Sequence, residues 1–179
     1  MRKQYLIGGV LAGLVGGLAM AVYTMTNEFL SGHSIFTPMY MPATPIVGMG
    51  AMERGMSGGA LYLEPLPAMI GLVVHFLWAA FWGLLFWVLL WLTRAAGWAG
   101  FGLGIAWGYV VGVVMSGLVL PAVGMKPMWT QPGATVFVLD HLAFGVPLAL
   151  WALRFAPGRQ RAFAAPARRP EQGTGQRAT

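Results

Sequence analysis

A chain of 179 residues that is 58% hydrophobic and only 9% charged cannot present a water-compatible surface, because soluble domains carry about 25% charged residues. It has no cysteine, which excludes disulfides, zinc–thiolate sites and iron–sulfur clusters. The formal net charge is +6, but the basic residues are not interleaved with aromatics on a folded face, which speaks against nucleic-acid binding.

Apolar runs of roughly 20 residues, long enough to cross a bilayer, recur along the chain and predict an all-α integral membrane domain over residues 1–155 with four transmembrane helices. The first span covers residues 5–25. Ala19-Met20-Ala21 has the form of a signal-peptide cleavage site, but the apolar run is longer than a signal core of about 7–15 residues. Gly13-x-x-x-Gly17 is the small-residue spacing of close helix packing, so this span is read as retained. Residues 26–65 form a long outer loop rich in Gly, Pro and Met. Thr44-Pro45 reads as the N-cap and first position of a short helix running to Arg54. Such a loop is expected on the bilayer surface or over the mouth of the bundle.

The second span, 67–92, carries His75 with Trp78 and Trp82 on its side of the helix. Trp87 and Trp91 are expected at the far interface, where amphipathic rings settle. A tight turn over 93–97 holds Arg94. The third span, 98–123, is studded with glycine. An outer turn with Lys126 and Trp129 leads to the fourth span, 134–155, which holds Asp140, His141 and Pro147. The proline removes one helical hydrogen bond and predicts a kink. Residues 156–179 have too little apolar surface to fold and read as a disordered basic tail, whose arginines suit anionic lipid.

Lys and Arg placement sets the topology. Arg2, Lys3, Arg94, Arg154 and the tail arginines all fall on one side of the four spans, against Arg54 and Lys126 on the other. Both termini are therefore expected in the cytoplasm, with the long loop outside a cytoplasmic (inner) membrane.

The chain also suggests a hairpin used twice. Gly13-x-x-x-Gly17-x-x-Met20 matches Gly108-x-x-x-Gly112-x-x-Met115, and His75 with Ala79 and Gly83 matches His141 with Gly145 and Ala149. Both hairpins would start inside, giving parallel repeats about an axis along the membrane normal. These small residues are the expected packing faces, and a homodimer through the glycines would use the same spacing.

Four stretches carry a family likeness: GLVGGLAM, VVHFLWAAFWGLLF, GIAWGYVVGVVMSG and DHLAFG, spread over Gly8–Leu153. On these the chain resembles the uncharacterised bacterial four-helix inner-membrane proteins of the YagU-like kind, a domain of unknown function. The resemblance implies a four-helix fold in the cytoplasmic membrane and brings no activity or catalytic residues with it.

Ionisable side chains inside a span are costly and point to a partner, a cavity or a task. His75 and His141 are each expected roughly 10–12 Å below the outer boundary at 1.5 Å per residue, facing one another in an outer-leaflet polar pocket with Asp140. Asp140, about 100° round the helix from His141, is expected to turn toward a neighbouring helix rather than share that face. The bland reading is a set of interhelical hydrogen bonds. The functional readings are passage of protons or a small solute, a b-type haem held between the two imidazoles, and Cu(I) on Met39, Met41 and His33 in the outer loop. No Ser-His-Asp arrangement, phosphate loop or carboxylate pair argues for an enzyme.

Overall fold

The computed structural model describes residues 3–126 and 134–155. The basic tail expected to be disordered, the basic start at Arg2 and the outer-turn residue Trp129 lie outside them. Every regular element among the described residues is helical.

Helix α1, Lys3–Leu30, continues five residues past the expected end of the first span. Thr24 and Thr26 make this possible, since their hydroxyls donate back to the carbonyls of Met20 and Val22 at 3.0 and 2.7 Å and so bring no unmet polar group. The helix stops where Gly32 takes φ +80°. His33 N–H then reaches Glu28 O and Gly32 N–H reaches Phe29 O, the paired bonds of a glycine-terminated helix end.

The loop is folded. Helix α2, Thr37–Val47, and helix α3, Gly50–Ser57, replace the single Thr44–Arg54 helix expected from sequence. Thr44-Pro45 lies inside α2, and the break comes at Gly48, with φ +80°. Three prolines in α2 remove backbone donors, so packing supplies the hold instead: Met39, Tyr40, Ala43 and Thr44 are buried. The Met39 carbonyl lies directly on Gly71, where no side chain could fit. The loop therefore docks on the N-terminal part of the next helix.

That helix, α4, is Pro65–Thr93, with proline in its first turn as the N-terminal preference requires. Helix α5 is Gly97–Val114, followed by a π-helical turn, Met115–Val119, and the short α6, Leu120–Ala122. Pro121 cannot donate to the residue four back and crowds that carbonyl; the widened turn lies immediately before it. Helix α7 is Ala134–Phe155 and keeps its turns on both sides of Pro147. Four helical stretches, Leu6–Leu30, Pro65–Thr93, Gly97–Ala122 and Thr135–Phe155, are long and apolar enough to span a membrane. Their outward faces are apolar, as with Leu11, Val15, Leu18 and Val22 along α1.

Packing follows two hairpins, α1 with α4 and α5 with α7, joined along α1 and α7. In lipid, helices gain little from hiding apolar groups and associate by close contact of small residues. Gly13 lies against the Ala79 carbonyl and Gly83, and Gly17 against Ala79 and His75. In the second hairpin Gly108 lies against the His141 carbonyl and Gly145, Gly104 against Ala149, and Gly112 against the His141 ring. These glycine faces pack inside the chain. The α4–α5 side is only lightly packed and is closed by aromatics: Trp107 Nε1 donates to the Trp82 carbonyl at 3.1 Å, and its ring meets those of Trp82 and Phe86. Trp87, expected at the interface, is instead 2% exposed in the core beside Phe86 and Leu90. Glycines at positions 8 and 9 of α1 leave the room its indole occupies.

The docked loop is tied by polar contacts. Ser34 Oγ donates to the Tyr62 carbonyl at 2.5 Å, and the Glu64 N–H donates to the Tyr40 hydroxyl at 2.8 Å. Burial pushes the Tyr40 phenol above its ordinary value, so it stays protonated. Tyr40→Phe strands the Glu64 amide beside a buried ring. The expected cost is about 1–3 kcal/mol, read as a lower melting temperature and faster amide exchange confined to α2, α3 and the start of α4.

Arg54 grips Glu64 through two bonds of 2.6 and 2.9 Å, and the Tyr62 hydroxyl donates to the same carboxylate at 2.8 Å. The Arg54 guanidinium, and then the Tyr62 hydroxyl, hold the Glu64 carboxyl below its ordinary value. A depressed folded-state value means that this contribution is complete above the ordinary glutamate value of about 4.3 and is lost as pH falls through the lower, folded value. Acidification below pH 4 is expected to loosen the loop toward proteases while the spans stay helical, and Glu64→Gln is expected to remove that pH dependence. Limited proteolysis across the pH range checks both.

Candidate functional site

Asp140 and His141 are buried on α7, at 6% and 3% exposure. The His141 Nδ1 lies 2.8 Å from the Phe137 carbonyl one turn back and 2.5 Å from Asp140 Oδ1. A carbonyl only accepts, so Nδ1 carries the proton and donates, leaving Nε2 as the second ring nitrogen. The two side chains therefore do meet, against the expectation that Asp140 turns to a neighbouring helix. The imidazole leans back toward Phe137, whose ring centroid is 4.3 Å away, and this brings Nδ1 within reach of the preceding carboxylate despite the angular separation of adjacent residues. Gly112 of α5 makes the approach possible, since a β-carbon there would stand 3.1 Å from the His141 Cβ and Cγ.

His75 is held differently. Its Nε2 lies 2.9 Å from the Gly17 carbonyl of α1, so Nε2 is the protonated nitrogen and the bond ties α4 to α1. This is the interhelical hydrogen bond that the simpler reading of the sequence anticipates. Gly17 faces His75 while Gly16, one residue back, faces Phe144 of α7. The two imidazoles thus belong to α4 and α7, two helices that α1 packs against. They lie within electrostatic range of one another, but each is bonded within its own hairpin.

The haem reading requires two imidazole nitrogens aimed at one iron. His75 Nε2 and His141 Nδ1 each donate to a carbonyl, so His75 Nδ1 and His141 Nε2 are the nitrogens that would have to face one iron. The copper reading names Met39, Met41 and His33. Met39 is buried against α4, and Met41, two residues on, projects about 200° round the helix from it. His33 bonds Glu28 at 2.8 Å instead. Among the described residues no group of three His, Asp or Glu side chains gathers to hold a metal.

A cleft of about 140 Å³ opens beside His141, between α5 and α7. Its walls are Tyr109, Gly112, Val113 and Ser116 on one side and Phe137, Val138 and His141 on the other. Ser116 belongs to the π-helical turn and is 2% exposed, whereas Tyr109, Val113 and Val138 are exposed at the rim. Neither Ser116 nor Tyr109 was singled out from sequence. The available signal was Pro121, whose missing N–H and ring disfavour a regular α-helical turn before it.

No protein-family description, curated protein or solved structure matches this chain.

Proposed function

We propose that this is a multi-pass cytoplasmic-membrane protein of the YagU-like kind, with both termini inside, that exchanges protons or a small polar solute at Asp140 and His141. It is a non-enzymatic reading, with His75 completing the polar layer in the outer leaflet. The observation that carries it is the bonded carboxylate–imidazole pair, buried in a helix of membrane-spanning length. Such a pair inside a span is expensive to maintain and characteristic of proton relays. The basic residues at Lys3, Arg94 and Arg154 support the orientation, and the tail arginines would sit against anionic headgroups.

The duplicated hairpin supports the layer as well, with one adjustment. Gly13 packs at Ala79 and Gly83, while Gly108 packs at His141 and Gly145. Superposing the hairpins by their glycine contacts therefore pairs His141 with Ala79, one turn from His75. Read as repeats, the two hairpins are then offset by one turn, about 5.4 Å.

Reconstitution into liposomes with an internal pH-sensitive dye tests the reading. An imposed pH gradient is expected to dissipate faster than in protein-free vesicles, with Asp140→Asn and His141→Leu reducing the rate toward the empty-vesicle level and His75→Leu reducing it less. Wild-type vesicles no leakier than empty ones, to protons or to a panel of small solutes, would overturn it.

A further inference from the structure

We infer that the α5–α7 cleft is a lateral binding site for a lipid-phase amphiphile with a single oxygen-bearing six-membered ring, a quinol or quinone on an apolar tail. Size comes first. A cavity of about 150 Å³ holds one benzene ring, and this cleft encloses about 140 Å³. That is room for one ring.

Access comes second. The rim residues Tyr109, Val113 and Val138 lie on the outward, apolar faces of α5 and α7. A ligand therefore enters sideways from the acyl chains, and its tail remains there.

Polarity comes third. At the base stands His141, with both of its hydrogen bonds on Nδ1. In the neutral imidazole Nε2 is an acceptor, the complement of a ring hydroxyl; in the imidazolium it is a donor, the complement of a ring carbonyl. The Phe137 ring, 4.3 Å from the imidazole, offers a flat wall. The π-helical turn brings Ser116 to the same lining, and such turns recur at functional sites. No redox step is implied; the inference concerns binding alone and holds whether or not protons cross the membrane.

The test uses the full chain in nanodiscs with a decyl-substituted benzoquinone and its quinol. Saturable binding is expected, read by quenching of tryptophan fluorescence, and a photoreactive azide on the ring is expected to label residues of α5 and α7 around Tyr109 and Val138. Val113→Trp and Val138→Trp, both at the exposed rim, are expected to abolish saturation while the melting temperature holds. His141→Leu is expected to weaken the quinol by about tenfold, the effect of one lost hydrogen bond, and to leave decylbenzene unaffected. Linear partitioning without saturation, or labelling spread over all four spans, overturns the inference. So does unchanged saturation in both folded rim variants. Should either tryptophan variant fail to fold, the labelling pattern in wild type decides. Loss of proton flux with retained ring binding would sink the transport reading and leave this one standing.

Discussion

Gly83→Val is expected to prevent the first hairpin from closing. A β-carbon at position 83 would press into the backbone of Gly9 and Gly13, and neither can rotate aside as a side chain can. Adding bulk to a tight interface ordinarily costs about 1–3 kcal/mol. Here the obstruction is main chain on both sides, and valine adds two methyl groups beyond the β-carbon, so the cost is expected at or above the top of that range. The expected outcome is aggregated or absent protein in detergent, read by size exclusion. Gly102→Ala is the control: no atom lies within 4 Å of the added carbon, and alanine favours a helix by about 1 kcal/mol over glycine. A Gly83→Val protein that purifies and melts like wild type would show that the α1–α4 contact is not built as described.

The second large effect concerns Asp140 and His141 together. Asp140→Leu removes the carboxylate and leaves a buried imidazole with one polar partner fewer. Breaking a buried pair from one side costs about 3–5 kcal/mol, whereas replacing both members by apolar groups is often near neutral. Asp140→Leu is therefore expected to lower stability more than Asp140→Leu combined with His141→Leu, measured by denaturation in mixed micelles. The double variant should stay folded and lose proton flux. Additive losses would mean that the two side chains do not depend on each other.

The four spans were legible because a run of apolar residues matched to bilayer thickness has few other uses. The glycine faces were legible too, through the four-residue spacing of Gly13 with Gly17 and of Gly108 with Gly112, and the structure packs each against its own hairpin partner. The folded loop was not legible. Its helix α2 carries prolines that local preference reads as breaks, and packing, chiefly against α4, holds it. Trp87 misled for a related reason: an indole near a span end suits an interface, and only the small residues at Gly8 and Gly9 reveal the recess that takes it in.

The site was half legible. An acid and an imidazole in a span are conspicuous by cost, so Asp140, His141 and His75 stood out. Their partners did not, because a carbonyl acceptor such as Gly17 or Phe137 has no signature in sequence. The cleft depends on a local widening of α5 around Ser116, for which Pro121 was the only mark.

The unequal seams of the bundle bear on how it moves. Where backbones touch through glycine, along α1 with α4 and α5 with α7, separation would surrender many close contacts at once. Where α4 meets α5, chiefly the indoles of Trp82 and Trp107 and the ring of Phe86 hold the gap. The two hairpins are thus bound like the covers of a book whose spine is the α1–α7 line. Whatever thickens, thins or squeezes the surrounding bilayer will swing those covers before it disturbs either page.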